Sequence, residues 1–238
     1  MRRLLPLALV LLSGCGGAAA TTLPGQSLGG GQTSGPGGTT STNATPPAGQ
    51  ATQATGVVIP AACAAGFVEY LKAIEPVVSG FDPATDKFGD FYAADDAAGE
   101  KGIELLIAND SRATYSCSEV GLEFAYFDSR SPWAAIHEIA SAQAPGTVGY
   151  LQVNEKVSNT EIAAMSDYGI TTCDEAVTRI KQDVAAETAA GADSVDDMSV
   201  DEGIELLGLY NAYLAQVRAE TCPRDELGND EFGFIGVR

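Results

Sequence analysis

Beyond residue 57, apolar positions recur mostly at helical spacing. Phe67, Leu71, Ile74 and Val78 fall at i, i+4, i+7 and i+11, one face of a helix that begins near Ala61. Pro76 interrupts that stripe and is expected to kink or end the helix. From Phe81 to Tyr92, Pro83, Gly89 and scattered aromatic residues predict a loop with a short helical turn. Ser131-Pro132-Trp133 opens another helix, with proline at its first position, and Ala144-Pro145-Gly146 follows its end. Thr147 to Asn154 alternates in part (Val148, Tyr150, Val153) and is the best strand candidate, although no second strand is in sight to pair with it. After Thr172, a stripe of Cys173, Val177, Ile180 and Val184 runs to Gly191. After Ser199, a broader face of Leu206, Tyr210, Tyr213 and Val217, widened by Ile204, Leu207 and Leu214, suits a central helix.

Four of these regions carry a capping-box pattern, in which a hydroxyl accepts from the third helical N–H and a carboxylate reaches back to the cap residue. They are Ser116-Cys117-Ser118-Glu119, Ser158-Asn159-Thr160-Glu161, Thr172-Cys173-Asp174-Glu175 and Ser199-Val200-Asp201-Glu202. Together with the stripes they predict a mainly α fold.

Two stretches match without a gap. Asp95-Asp96 and Gly102-Ile103-Glu104-Leu105-Leu106 correspond to Asp196-Asp197 and Gly203-Ile204-Glu205-Leu206-Leu207. Each stretch has one cysteine before it, at a predicted helix start, and one after it. A duplicated helical hairpin follows, with half-repeats at about 61–128 and 172–235. The expected fold is therefore a helical bundle of two similar disulfide-closed hairpins packed around the two Gly-Ile-Glu-Leu-Leu segments, with at most one short extended segment. Four cysteines allow three pairings, and the repeat selects Cys63–Cys117 and Cys173–Cys222.

The fifth cysteine sits in a different setting. Arg2 and Arg3 precede an apolar run from Leu4 to Leu12, and Leu12-Ser13-Gly14-Cys15 closes it. That run is far short of the roughly 20 residues that a membrane-spanning helix needs. The segment resembles the lipobox of bacterial lipoproteins. The resemblance covers these first residues and implies that residues 1–14 are a signal peptide and that Cys15 carries a diacylglycerol. Two acyl chains suffice for stable anchoring. Gly16 follows the cysteine, so no inner-membrane retention signal is evident. The expected address is the extracytoplasmic face of the cell membrane, or an outer membrane where the cell has one.

From Gly16 to about Gly56 the chain is built mainly from Gly, Thr, Ala, Ser, Pro and Gln, without a charged residue. It cannot bury enough apolar surface to offset its ordering entropy, so it reads as a linker, averaging about 35 Å end to end. Its glycines follow no strand and open no helix, which excludes a phosphate loop. Residues 57–238 then form one domain of ordinary size.

Charge narrows the partners. The chain has 32 acidic residues against 13 basic ones, a net charge of −19, and losing Arg2 and Arg3 makes it more negative still. Phosphate backbones repel such a body, which excludes nucleic acid. Anionic lipid repels it too, so the domain should stand off the membrane that holds its tail.

Motifs for chemistry are few. No C-x-x-C pair is present and the chain has one histidine, so zinc is the weaker use of the four cysteines. His137-Glu138 lacks the second histidine of a zincin, the position being Ser141. No G-x-S-x-G or S-x-x-K occurs. EF-hand spacing fails from Asp193, which puts Ile204 twelfth, and from Asp197, which puts Glu202 where glycine belongs. Trp133 and His137 lie one turn apart on one face and form a candidate ligand patch, although a packed helix face is the commoner use of such a pair, and Tyr210 and Tyr213 are further candidate contacts. No catalytic residue, metal ligand or cofactor is assigned. The leading expectation is a non-enzymatic binding or accessory lipoprotein of the envelope, acting on a partner protein or small ligand. Its rivals are an envelope hydrolase using a carboxylate pair and a weak divalent-cation binder.

Overall fold

In the computed structural model, the stripe of Phe67, Leu71, Ile74 and Val78 is buried along the first helix, α1 (Ala61–Val78), together with Cys63 and Tyr70. The described residues are 58–108, 116–124 and 127–236; the signal segment 1–14, Cys15 and the linker 15–56 lie outside them. Pro76 does not end α1. It falls in the last turn and the stripe runs through it to Val78. The adjacent Glu75 carboxylate accepts from the Gly146 N–H at 2.9 Å, tying this end of α1 to the turn at Pro145–Thr147.

Six further helices have both ends among the described residues: α2 (Phe88–Ala108), α3 (Trp133–Gln143), α4 (Val148–Asn159), α5 (Cys173–Ala190), α6 (Val200–Arg218) and α7 (Asn229–Ile235). Helices α1 and α2 form one hairpin, α5 and α6 the other. The α3–α4 pair lies between them, α3 against α1 and α4 against α6, while α7 rests on α5. The bridges are Cys63–Cys117 and Cys173–Cys222, so each joins the start of the first helix of a hairpin to the chain just beyond the second. Helix α6 is the central one, burying Leu206, Leu209, Tyr210, Ala212 and Tyr213. At Thr172 and Ser199 both capping boxes form, the hydroxyls accepting from the N–H of Glu175 and Glu202.

Several elements differ from the sequence reading. Thr147 to Asn154 is no strand. Helix α4 occupies it, burying Tyr150, Leu151, Asn154 and Ser158 at helical spacing. Two members of that buried face are polar, and this hid the 3.6-residue period. Among the described residues no strand forms. The stretch from Phe81 to Tyr92 is loop only as far as Lys87, because α2 starts at Phe88. Two of the four capping boxes mark no helix start. Ser158 is in the last turn of α4, its hydroxyl donating to the Phe127 carbonyl at 3.3 Å. The turn at 116–118 is a helix end. Gly121 adopts φ +72°, its N–H donates to the Ser118 carbonyl, and Leu122 N–H donates to the Cys117 carbonyl.

The two hairpins match in a register of their own. Helix α5 starts and ends 112 residues after α1, and α6 starts 112 residues after α2. Lys87 and Ser199, also 112 apart, pair with each other in an isolated antiparallel bridge, as a local two-fold axis through that point requires. The loops before them share a device. Asp82 N–H donates to the Asp86 carboxylate at 2.9 Å, and Asp193 N–H to the Asp197 carboxylate at 3.1 Å. The Gly-Ile-Glu-Leu-Leu segments, by contrast, lie 101 residues apart. The difference is 11 residues, about three helical turns, so both glycines stay on a buried face although one lies late in α2 and the other early in α6. The bundle is not built around the first segment, where Ile103 is 52% exposed and Leu105 and Leu106 are half-buried.

The hairpins meet where Phe88 lies against Gly203. A Cβ on Gly203 would stand 2.7 Å from Phe88 Cγ, which is not a mobile tip that can swing aside. We expect Gly203→Ala to destabilise the domain by about 1–3 kcal/mol through overpacking, read as a lowered denaturation midpoint at unchanged slope. Replacing Cys173 and Cys222 together by alanine should cost about 4 kcal/mol in the chain-entropy model, checked by the same measurement under oxidising conditions.

Candidate functional site

Helix α3 carries Trp133 and His137 at i and i+4, and the two rings stack at 5.9 Å between centroids. His137 Nε2 lies 2.7 Å from a Glu155 carboxylate oxygen on α4, so the pair links the two middle helices. The imidazole is thus satisfied on one side only. His137 Nδ1 and Trp133 Nε1 are buried with no hydrogen-bond partner among the described residues. Trp133 packs against Phe127 at 5.5 Å, and Phe127 in turn meets Phe67 and Tyr70 of α1. This is an aromatic core with one histidine at its edge. Glu155 also borders an open groove of about 280 Å³ with Pro83, Gln152 and Lys156.

Tyr210 and Tyr213 lie elsewhere, on α6. Tyr213 is fully buried and its hydroxyl donates to the Pro223 carbonyl. Tyr210 is buried edge-on against Phe232 of α7. Both hold the end of the second hairpin in place. The four candidate contact residues therefore divide into two places, the first on α3 and the second on α6.

A site that the sequence did not resolve lies where α1, α2 and α4 meet. Asp95, in the middle of α2, turns its carboxylate toward α4. One oxygen accepts from the Tyr150 hydroxyl at 2.8 Å and from Asn154 Nδ2 at 3.1 Å, and Asn154 Nδ2 also donates to the Tyr150 hydroxyl at 3.1 Å. Burial raises the Asp95 pKa above the usual carboxylate range, the neighbouring Asp96 charge adds to this, and the bonds from Tyr150 and Asn154 oppose it. The surrounding tyrosines respond to the same charge. Tyr92 is pushed up to about 12 by burial and by Asp95 and Asp196; Tyr70 and Tyr150 are raised further, chiefly by burial and then by Asp95. All three phenols keep their protons at neutral pH. The cluster is chemically a single carboxyl group that holds its proton more tightly than usual, among hydroxyl and amide donors. Asp96, its nearest acidic neighbour in the chain, is exposed on the same helix and does not face it across a cleft.

In the sequence Asp95 stood out only as half of the acidic pair that matches Asp196-Asp197 in the repeat. Its partners stand 55 and 59 residues away, inside the segment read as a strand. The usable signal was Tyr150 and Asn154 at i and i+4, flanking Leu151 and Val153. Among the described residues, no three His, Cys, Asp or Glu side chains come together to hold a metal ion.

Comparison with protein-family models, with curated proteins and with solved structures finds no match to this chain.

The Asp95 cluster has a pH signature. Because its folded pKa lies above the unfolded one, the folded state binds the extra proton between the two values, and stability falls as pH rises through that window. Asp95→Asn removes the charge and keeps an acceptor for Tyr150. We expect the variant to lose less stability than the parent between pH 4 and pH 7, measured by urea denaturation at both.

Proposed function

We propose that this protein is an extracytoplasmic lipoprotein, tethered through Cys15, whose folded domain binds a partner of the bacterial envelope without catalysing a reaction. One observation carries the reading. The four cysteines of the folded domain are taken up in Cys63–Cys117 and Cys173–Cys222, and the remaining one is the cysteine that follows Leu12-Ser13-Gly14. Disulfides of this kind belong to oxidising compartments, as a secreted chain would meet. No helix among the described residues is long and apolar enough to cross a membrane, so in this reading attachment rests on the lipid.

The uncharged linker and the acidic body fit that arrangement. A linker of that composition would reach about a few tens of ångströms, and like charge would keep the domain away from anionic headgroups. A hydrolase with a carboxylate pair is the rival with an observation on its side, since Asp95 is a carboxyl group of raised pKa. Its hydrogen bonds go to Tyr150 and Asn154, however, which ties α2 to α4 and leaves that oxygen little freedom to reach a substrate. Binding is the better-supported role.

Intact-mass analysis of the native product should find a chain beginning at Cys15 and carrying a diacylglycerol. Cys15→Ala should move the protein from the membrane fraction to the soluble one. An unlipidated chain that still begins at Met1 would overturn the proposal.

A further inference from the structure

The two disulfides sit in different surroundings. Cys63 and Cys117 are 0% and 1% exposed, inside the same core as Phe67 and Leu122. Cys222 is buried too, but Cys173 is partly exposed at the first position of α5. The residues on both sides of it, Thr171, Thr172, Asp174 and Glu175, are all exposed. A thiolate breaks a disulfide by attacking one of its sulfurs, so access decides which bridge can exchange. Of the four bridged cysteines, Cys173 is the one with a substantial face in solvent.

The exposed bridge also holds a strained turn. Glu220 adopts φ +59°, in the left-handed region that favours glycine, and its N–H donates to the Val217 carbonyl at 3.1 Å. Strain of this kind persists where the surroundings fix the backbone. Here the N–H groups of Thr221 and Cys222 both donate to the Gln216 carbonyl, and the Tyr213 hydroxyl donates to the Pro223 carbonyl. Every hydrogen bond in this set runs back to α6. The bridge from Cys222 to Cys173 is what fastens the turn to α5.

We propose that Cys173–Cys222 is a thiol-exchange site opened by a dithiol, and that Cys63–Cys117 is a structural bridge which the same reagent leaves intact. One thiolate of the dithiol attacks Cys173 Sγ. The bond to Cys222 breaks, and the Cys222 sulfur leaves as a thiolate and takes up a proton. The second thiolate then attacks the dithiol's own sulfur in the mixed disulfide. Cys173 leaves as a thiolate at the N-terminal end of α5, where the helix dipole favours negative charge, and is protonated in turn. The dithiol ends as a disulfide, having given up two electrons and two protons. Asp174 and Glu175 flank the attacked sulfur, so a neutral or basic dithiol suits the site better than an anionic one. Reduction frees the turn at 219–224 from α5, and Glu220 relaxes. This goes beyond the binding role and depends on neither the anchor nor the partner.

The test uses the oxidised full chain carrying Cys15→Ala, treated with dithiothreitol under native conditions, blocked with N-ethylmaleimide at intervals and mapped by mass. Cys173 and Cys222 should be alkylated about tenfold or more faster than Cys63 and Cys117, and in urea the two bridges should open at similar rates. The monothiol 2-mercaptoethanol should leave its mixed disulfide on Cys173 and not on Cys222. Hydrogen exchange of the selectively reduced chain should quicken at residues 219–224 while α1 and α2 keep their protection. Equal opening of both bridges without urea, earlier opening of Cys63–Cys117, or a rate difference that persists in urea would overturn the assignment. So would an adduct on Cys222, unchanged exchange at 219–224, or loss of protection throughout the domain.

Discussion

A phenyl ring lying on a residue without a side chain decides how the two hairpins meet. Phe88 opens α2, Gly203 lies in the first turn of α6, and their contact is closer than any Cβ permits. Beside it the backbone of Lys87 pairs with that of Ser199 and Phe88 N–H donates to the Met198 carbonyl at 3.0 Å. These few atoms fix the angle between hairpins, and with it the space that α4 fills and the position at which Asp95 reaches Tyr150. Further hydrogen bonds, such as Asn211 Nδ2 to the Thr160 hydroxyl at 3.1 Å, attach the middle segment to α6.

The charges are divided between surface and interior in a way that composition does not disclose. Lys87–Asp197, Lys156–Asp201 and Arg179–Glu205 tie separate elements together, but all are solvent-exposed and each contributes little. Their role is to keep an acid-rich surface locally balanced. The carboxylate with structural weight is Asp95, whose shift comes first from leaving water.

What the sequence disclosed, and what it did not, follows from the physics of each feature. The stripes of α1, α5 and α6 were legible because their buried faces are uniformly apolar. The cysteine pairing was legible because each pair brackets one hairpin. Helix α4 was not, because Asn154 and Ser158 are buried and find partners far along the chain, so polarity stopped marking the outside. The boxes at Ser116 and Ser158 misled because hydroxyls and carboxylates suit a last turn as well as a first. The register of the repeat was hidden by helical geometry itself, since a shift of about three turns leaves every residue on its former face. At the candidate sites, spacing along α3 placed Trp133 beside His137. Glu155 and Asn154 needed the folded chain.

The position of the first bridge has a mechanical consequence. Cys63 stands five residues after Val58, where the described chain begins, and is bound to Cys117 across a separation of 54 residues. A pull arriving from the N-terminal side passes through the sulfurs directly to Cys117. Helices α1 and α2 stay outside the load path, and their residues add nothing to the length that can be drawn out. The second bridge shields α5 and α6 in the same way, across 49 residues. Under tension the protein is therefore much shorter than its sequence, by about 300 Å or more at roughly 3.3 Å per residue.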